Sequence, residues 1–223
     1  MKKFEWPEPP STKVFPLAMS GLPIIFASAF VTAIFALLGL TLPALICLVV
    51  TLFICYFFRD PDRLIPMEPQ VVVSPADGKV IVVQKKKESS FFDGPCLKIS
   101  IFMTIFNVHV NRMPCEGRVE RIDYFPGKFF GANTDKGGKT NEKNALFIKT
   151  NKDVKVSVVQ VAGLVARRII CYVKKEDTLK RGQRFGLICF GSRLDIYLPE
   201  NSKPIVAVGD KVQAGTSVLA KLP

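Results

Sequence analysis

The sequence predicts a mainly β protein with an N-terminal membrane helical hairpin. Three observations carry that expectation. Residues 17–58 contain no charged side chain. Beyond them, short β-rich runs alternate with Gly, Pro, Asp and Asn turn signals. No helical period of useful length follows residue 58. The chain has 223 residues, enough for one domain and an appendage. Its mean hydropathy of +0.26 is high for a soluble protein, and the apolar run is the cause.

That run, "LAMSGLPIIFASAFVTAIFALLGLTLPALICLVVTLFICYFF", is roughly twice the about 20 residues one helical crossing needs. "GLTLP", with Gly39 and Pro43, breaks it near the middle, so two helices are expected at about 17–38 and 42–58. A cleaved signal peptide would have a shorter apolar core followed by a small-residue cleavage site. Here the run ends abruptly at "FFRDPDR". A hairpin returns the chain to its starting side. Lys2, Lys3 and Lys13 before it, with Arg59 and Arg63 after it, place both ends in the cytoplasm by the positive-inside rule. A hairpin that only enters one leaflet has the same sidedness. The expected organisation is a cytoplasmic flank at 1–16, the hairpin at 17–58 and a β-rich catalytic domain at 59–223.

Strands are expected at 71–73, 79–83, 96–103, 154–163, 168–173, 194–198 and 217–222, the pattern of a sandwich or barrel. Residues 125–145, "FPGKFFGANTDKGGKTNEKNA", are too long and glycine-rich for a simple turn and read as a binding loop or an insertion. The last twenty residues, with Gly209-Asp210 and Ala214-Gly215 between short strands, resemble the hairpins of biotinyl/lipoyl-like barrel-sandwich domains. They lack the modifiable hairpin lysine of true carrier domains.

The formal net charge is +12, with basic clusters at 85–87, 167–168 and 180–184. Beside a membrane hairpin, anionic headgroups are a better partner for these than nucleic acid. Six cysteines without a C-x-x-C, two of them in the apolar run, fit reduced thiols rather than a disulfide framework or a zinc site. No metal is expected.

The chain has one histidine, His109 in "FNVHVNRMP", so any imidazole chemistry uses it. A lone strand histidine is more often structural. Asp77 in "SPADGKV" is turn chemistry by itself, and it is also a carboxylate able to orient an imidazole. Gly191-Ser192 sits between two apolar runs, where a turn is the simplest reading. Together the three residues make one device. Ser192, activated by a His–Asp pair, attacks the Gly191 carbonyl, and the resulting ester eliminates. The new N-terminus then becomes a pyruvoyl group, an electron sink comparable to pyridoxal phosphate.

At this point the chain resembles the phosphatidylserine decarboxylase proenzyme family in its short bacterial form. The resemblance rests on "SPADGKV", "FNVHVNRMP", "DYFPGKFFGAN" with "NEKN", "VQVAGLVARRIICYV" and "RGQRFGLICFGSR", in that order, and runs from about Phe57 to Pro223. It implies that Asp77, His109 and Ser192 form a maturation triad and that cleavage falls between Gly191 and Ser192. The products would be chains 1–191 and 192–223, held as a heterodimer, with Ser192 converted to the pyruvoyl cofactor. The implied activity is decarboxylation of phosphatidylserine to phosphatidylethanolamine at the cytoplasmic face of the inner membrane. Longer members have Leu-Gly-Ser-Thr at the cleavage site, where this chain has Phe-Gly-Ser-Arg. They also have a second histidine where Phe106 stands, so His109 is expected to act alone and to protonate the carbanion, with Phe106 among the apolar walls of the site. The rival readings are a pyruvoyl decarboxylase acting on another serine-bearing lipid or a soluble amino acid, and a membrane-anchored barrel-sandwich adaptor. The long apolar run disfavours a soluble substrate, and the lack of heptad-patterned helices disfavours the adaptor.

Overall fold

The computed structural model describes residues 4–5, 8, 16–164, 168–189 and 191–223. Lys2, Lys3, Lys13, Arg167 and Phe190, each used in the sequence reading, lie outside that set. The chain forms two compact units, residues 10–62 and residues 1–9 with 63–223.

In the first unit, a short 3-10 turn (Met19–Gly21) leads into α1 (Leu22–Leu37), and α2 (Thr41–Phe57) returns beside it. Pro23 opens α1, where a missing N–H costs nothing. Gly39 turns the chain between the helices at φ +72°, a conformation that suits glycine. The few hydroxyls are satisfied locally. Thr32 Oγ1 lies 2.9 Å from the Ser28 carbonyl and Thr51 Oγ1 2.8 Å from that of Cys47, and the two threonines meet between the helices at 3.2 Å. The outward surface is apolar: Phe26, Phe30, Leu42 and Val49 are each about two-thirds exposed or more. The stretch Met19–Leu37 is long and apolar enough to cross a membrane, whereas α2 is a shorter apolar helix. At 1.5 Å per residue, α1 and α2 run only about 24–26 Å, less than the about 30 Å hydrocarbon core. The expected helix bounds thus hold to within a few residues, except that α1 starts later because the 3-10 turn precedes it.

The second unit is mainly β. In chain order its strands are β1 (Phe4–Glu5), β2 (Ile65–Pro66), β3 (Val71–Val73), β4 (Gly78–Lys86), β5 (Cys96–Met103), β6 (Val110–Arg112), β7 (Gly117–Phe125) and β8 (Lys143–Lys149). There follow β9 (Lys155–Ala162), β10 (Ile169–Cys171), β11 (Thr178–Leu179), β12 (Arg184–Ile188), β13 (Ser192–Pro199), β14 (Lys203–Pro204), β15 (Lys211–Val212) and β16 (Val218–Lys221). One short helix, α3 (Asp135–Thr140), lies in the glycine-rich stretch.

The main sheet has the order β11-β7-β8-β9-β13-β5-β4-β15, with antiparallel neighbours throughout. Two three-stranded sheets, β10-β12-β6 and β14-β16-β3, and the two-stranded pair β1-β2 accompany it. Register shifts between Val80 and Val82 and between Val119 and Arg121 add local twist, which curls the sheet. One face of each central strand fills the core. Leu97, Ile99 and Ile101 of β5, Leu194, Ile196 and Leu198 of β13, and Val156 and Val158 of β9 pack there with Phe185, Met113 and Leu219. This is the mainly β class that the sequence predicts, realised as a curled antiparallel sheet.

β1 pairs with β2, and Arg184 forms an ion pair with Glu8, so part of the N-terminal flank is built into the β unit. The 180–184 cluster is correspondingly less available to a partner than its composition suggests. Arg181 donates to the carbonyls of Pro66 and Glu68 at 2.7 and 2.8 Å.

Candidate active site

Ser192 opens β13, in the middle of the main sheet, opposite Met103 of β5 and Ala162 of β9. Alternation along the strand turns Ser192, with Leu194 and Ile196, toward the core. Its residue is fully buried, and its hydroxyl has no hydrogen-bond partner among the described residues. Such an orphaned buried hydroxyl is rare and costs about 1–3 kcal/mol. Gly191, one residue earlier, takes φ +64°, the left-handed region that glycine enters without Cβ strain. The turn expected at Gly191-Ser192 is therefore present, but it delivers the serine straight into a buried strand.

His109 is fully buried at the entry to β6. Its Nδ1 lies 2.9 Å from the Asn107 carbonyl oxygen. A carbonyl only accepts, so Nδ1 carries the proton and Nε2 holds a lone pair. The Gly191 N–H donates to Nε2 at 3.3 Å. The imidazole is thus fixed in the tautomer a general base needs, aimed at the backbone beside Ser192. Asn107 is itself held: its Oδ1 accepts from the amide and hydroxyl of Thr104, each at 2.8 Å.

Asp77 follows β3, beside the start of β4, whose Lys79 stands opposite Phe102. The acid is therefore at the same end of the sheet as Ser192, with β5 between them. Its carboxylate accepts from Arg63 at 2.9 Å and from the Ala214 N–H at 2.7 Å. No hydrogen bond joins it to His109. The structure thus brings His109 to the Gly191-Ser192 segment and keeps Asp77 on partners the sequence reading did not include. Phe106 is 62% exposed, and its neighbour Ile105 reaches within 4.0 Å of where a Cβ on Gly191 would stand.

Two further features of the site were not read from sequence. Arg63, in "RDPDR", gives no local sign of its pairing with Asp77. Gly163, in "VQVAG", sits where a Cβ would run into the Gly191 carbonyl oxygen. Only glycine leaves that carbonyl its place. Gly163→Ala is expected to displace it, and a displacement near 1 Å costs up to about 10²-fold in rate. Time-resolved gels of chain cleavage check this, and wild-type cleavage by Gly163→Ala would show that the contact does not matter. Burial raises the Cys189 thiol against the partial opposition of Arg168, which keeps this cysteine, two residues before Gly191, from acting as a thiolate.

The phosphatidylserine decarboxylase family profile matches residues 50–220, which cover β13 and every residue placed above. This chain belongs to the phosphatidylserine decarboxylase family. The phosphatidylserine decarboxylase proenzyme of Desulfotalea psychrophila is 47% identical over 207 residues, 93% of this chain and 97% of that protein. That of Geotalea uraniireducens is 50% identical over 208 residues, with the same coverage. That of Cupriavidus pinatubonensis is 51% identical over 175 residues, 78% of this chain and 80% of its own. Phosphatidylserine decarboxylases are carboxy-lyases, so the chain is an enzyme of that class.

Proposed function

We propose that the chain is a self-cleaving phosphatidylserine decarboxylase that matures between Gly191 and Ser192 and makes phosphatidylethanolamine and carbon dioxide. The observation that carries this is the Gly191 N–H bonded to His109 Nε2 beside a buried serine hydroxyl with no partner among the described residues. In the maturation step Ser192 Oγ attacks the Gly191 carbonyl carbon and gives up its proton to His109. The C–N bond breaks, its nitrogen takes a proton, and an ester remains. Loss of the Ser192 Cα proton then breaks the Cβ–O bond, so the serine oxygen leaves in the new carboxylate of Gly191. Water finally replaces the nitrogen of residue 192, which departs as ammonia.

The residues present fit a pyruvoyl group at position 192. The orphaned hydroxyl is the atom that must react, and Gly163 leaves space at the Gly191 carbonyl that it attacks. When formed, the group supplies an electron sink for departure of a carboxylate. Ser192 is held by β5 and β9 on either side, which fixes the reacting position within the sheet. His109, buried and with Nε2 accepting the Gly191 N–H in this tautomer, is the base of maturation and the residue that moves a proton at the same position afterwards. Asp77 supports maturation from its Arg63 and Ala214 contacts. The decisive experiment is carbon dioxide release from phosphatidylserine before and after phenylhydrazine, which blocks ketone carbonyls. Activity that survives the reagent would overturn the pyruvoyl reading.

The hairpin is the proposed anchor, facing the cytoplasm at the inner membrane. Its apolar outer surface supports this. The positive flank after it is partly occupied, since Arg63 pairs with Asp77 and Arg59 stacks 3.9 Å over Tyr56. Because β1 and Glu8 belong to the β unit, the anchor is best tested in the intact chain. The full-length enzyme is expected to float with anionic vesicles at low salt and at 1 M salt, where the Debye length is about 3 Å. Release at high salt would mean that surface charge alone holds it.

A further inference from the structure

We infer that the outer face of the main sheet carries a second binding site, separate from Ser192, built for a phosphate group. Arg193, Asp195 and Tyr197 alternate with the core-facing residues of β13 and so point to this opposite face. There, between β4, β5, β8 and the glycine-rich segment, lies a cavity of about 540 Å³. That size is within the about 300–1,000 Å³ of small-molecule sites. Lys86, Lys98, Lys139 and Lys143 line it, and Glu88, exposed at the rim, is the single carboxylate among the described lining residues.

The charges beneath do not balance. Lys98, Lys143 and Arg193 are buried at 7%, 7% and 4% exposure, and they face one buried carboxylate, Asp195. Lys98 reaches it at 2.7 Å and Arg193 at 2.6 Å, so its oxygens are taken. The third cation, Lys143, has no ion pair among the described residues; its ammonium donates to the Lys139 carbonyl at 2.7 Å. Burying an uncompensated charge is costly, and the cost shows in the protonation equilibria. Burial lowers both lysines, and it does so despite the attraction of Asp195. An anion in the cavity would remove that penalty. Three buried cations against one carboxylate leave an excess of two, the charge a phosphate monoester approaches near neutral pH. The lining cations come from separate elements, Lys86 of β4, Lys98 of β5, Lys139 of α3 and Lys143 of β8, and Ser89 and Thr140 add hydroxyls to the walls. Donors converging from several directions suit a tetrahedral oxyanion better than a planar carboxylate.

The test is thermal unfolding of the full-length protein in detergent, with inorganic phosphate titrated against sodium chloride of equal ionic strength. The wild-type midpoint is expected to rise saturably with phosphate. Lys143→Gln removes the unpaired ammonium, so it should unfold at a higher temperature than wild type without phosphate and lose the phosphate-dependent rise. If that variant does not fold, Lys86→Gln, at the half-buried end of β4, carries the same comparison. A wild-type midpoint that moves no more with phosphate than with chloride would overturn the site, as would equal shifts in wild type and variant. Dihexanoyl phosphatidic acid below its micellar concentration separates the sources. Protection at lower concentration than inorganic phosphate identifies a lipid headgroup, and the reverse order identifies free phosphate.

Discussion

Ser192→Ala is expected to remain a single chain, whereas the wild type resolves into residues 1–191 and 192–223. The effect is all or none, because the side chain supplies the only atom that can form the ester. Ser192 lies in a fully buried strand position, so replacing its hydroxyl with hydrogen also removes an unpaired polar atom from the core. The variant should therefore be at least as stable as the wild-type proenzyme, and loss of cleavage cannot be assigned to unfolding. Denaturing mass spectrometry reads the chains, and thermal unfolding reads the fold. Cleavage of Ser192→Ala at the same bond would end the self-cleavage proposal.

His109→Gln is the second large effect. General-base catalysis contributes about 10²–10⁴-fold, and maturation is expected to slow by that order. Glutamine is the informative replacement because its amide oxygen is able to accept the Gly191 N–H that Nε2 accepts now. It keeps the hydrogen bond and removes the base. Maturation of His109→Gln at the wild-type rate would show that the imidazole only positions the backbone. Asp77→Asn should fall between the two, slower than wild type and faster than His109→Gln. It gives up the ion pair with Arg63 yet keeps an acceptor for the Ala214 N–H.

The parts of this molecule legible in its sequence are those set by local composition. The hairpin is plain because no charge interrupts residues 17–58, and β5 and β9 are plain because β-branched and apolar residues fill them. β7 was not legible. Its reading "GRVERIDYF" carries four charges, and the register shift between Val119 and Arg121 breaks the alternation that would mark an inward face. β8, "KNALFIK", hides for another reason: its two leading polar residues are buried, Lys143 on the cationic face and Asn144 bonded to Gln160 at 2.9 Å. α3 is a single short turn with two glycines, capped by Thr134, and has no periodicity to detect. In the site, His109 was visible as the lone imidazole. Its Asn107 partner, two residues away, was within reach of local reasoning. Arg63 and Ala214 were not, because they meet Asp77 only through the tertiary fold.

The central position of β13 has a consequence for the proposed cleavage. The segment from Ser192 onward lies between β5 and β9, and its later strands β15 and β16 pair with β4 and β3, all contributed by the longer piece. Severing the Gly191-Ser192 bond leaves these ladders intact, so the short piece is interlocked rather than docked. Its escape would require opening the middle of the sheet. The uncut chain folds with both pieces at high effective concentration, an advantage the proposed mature form would lose. The proposed cleavage would therefore act as a ratchet: the enzyme would fold reversibly as one chain, then persist through the barrier to strand withdrawal, and heating that pulls β13 out would be a one-way loss.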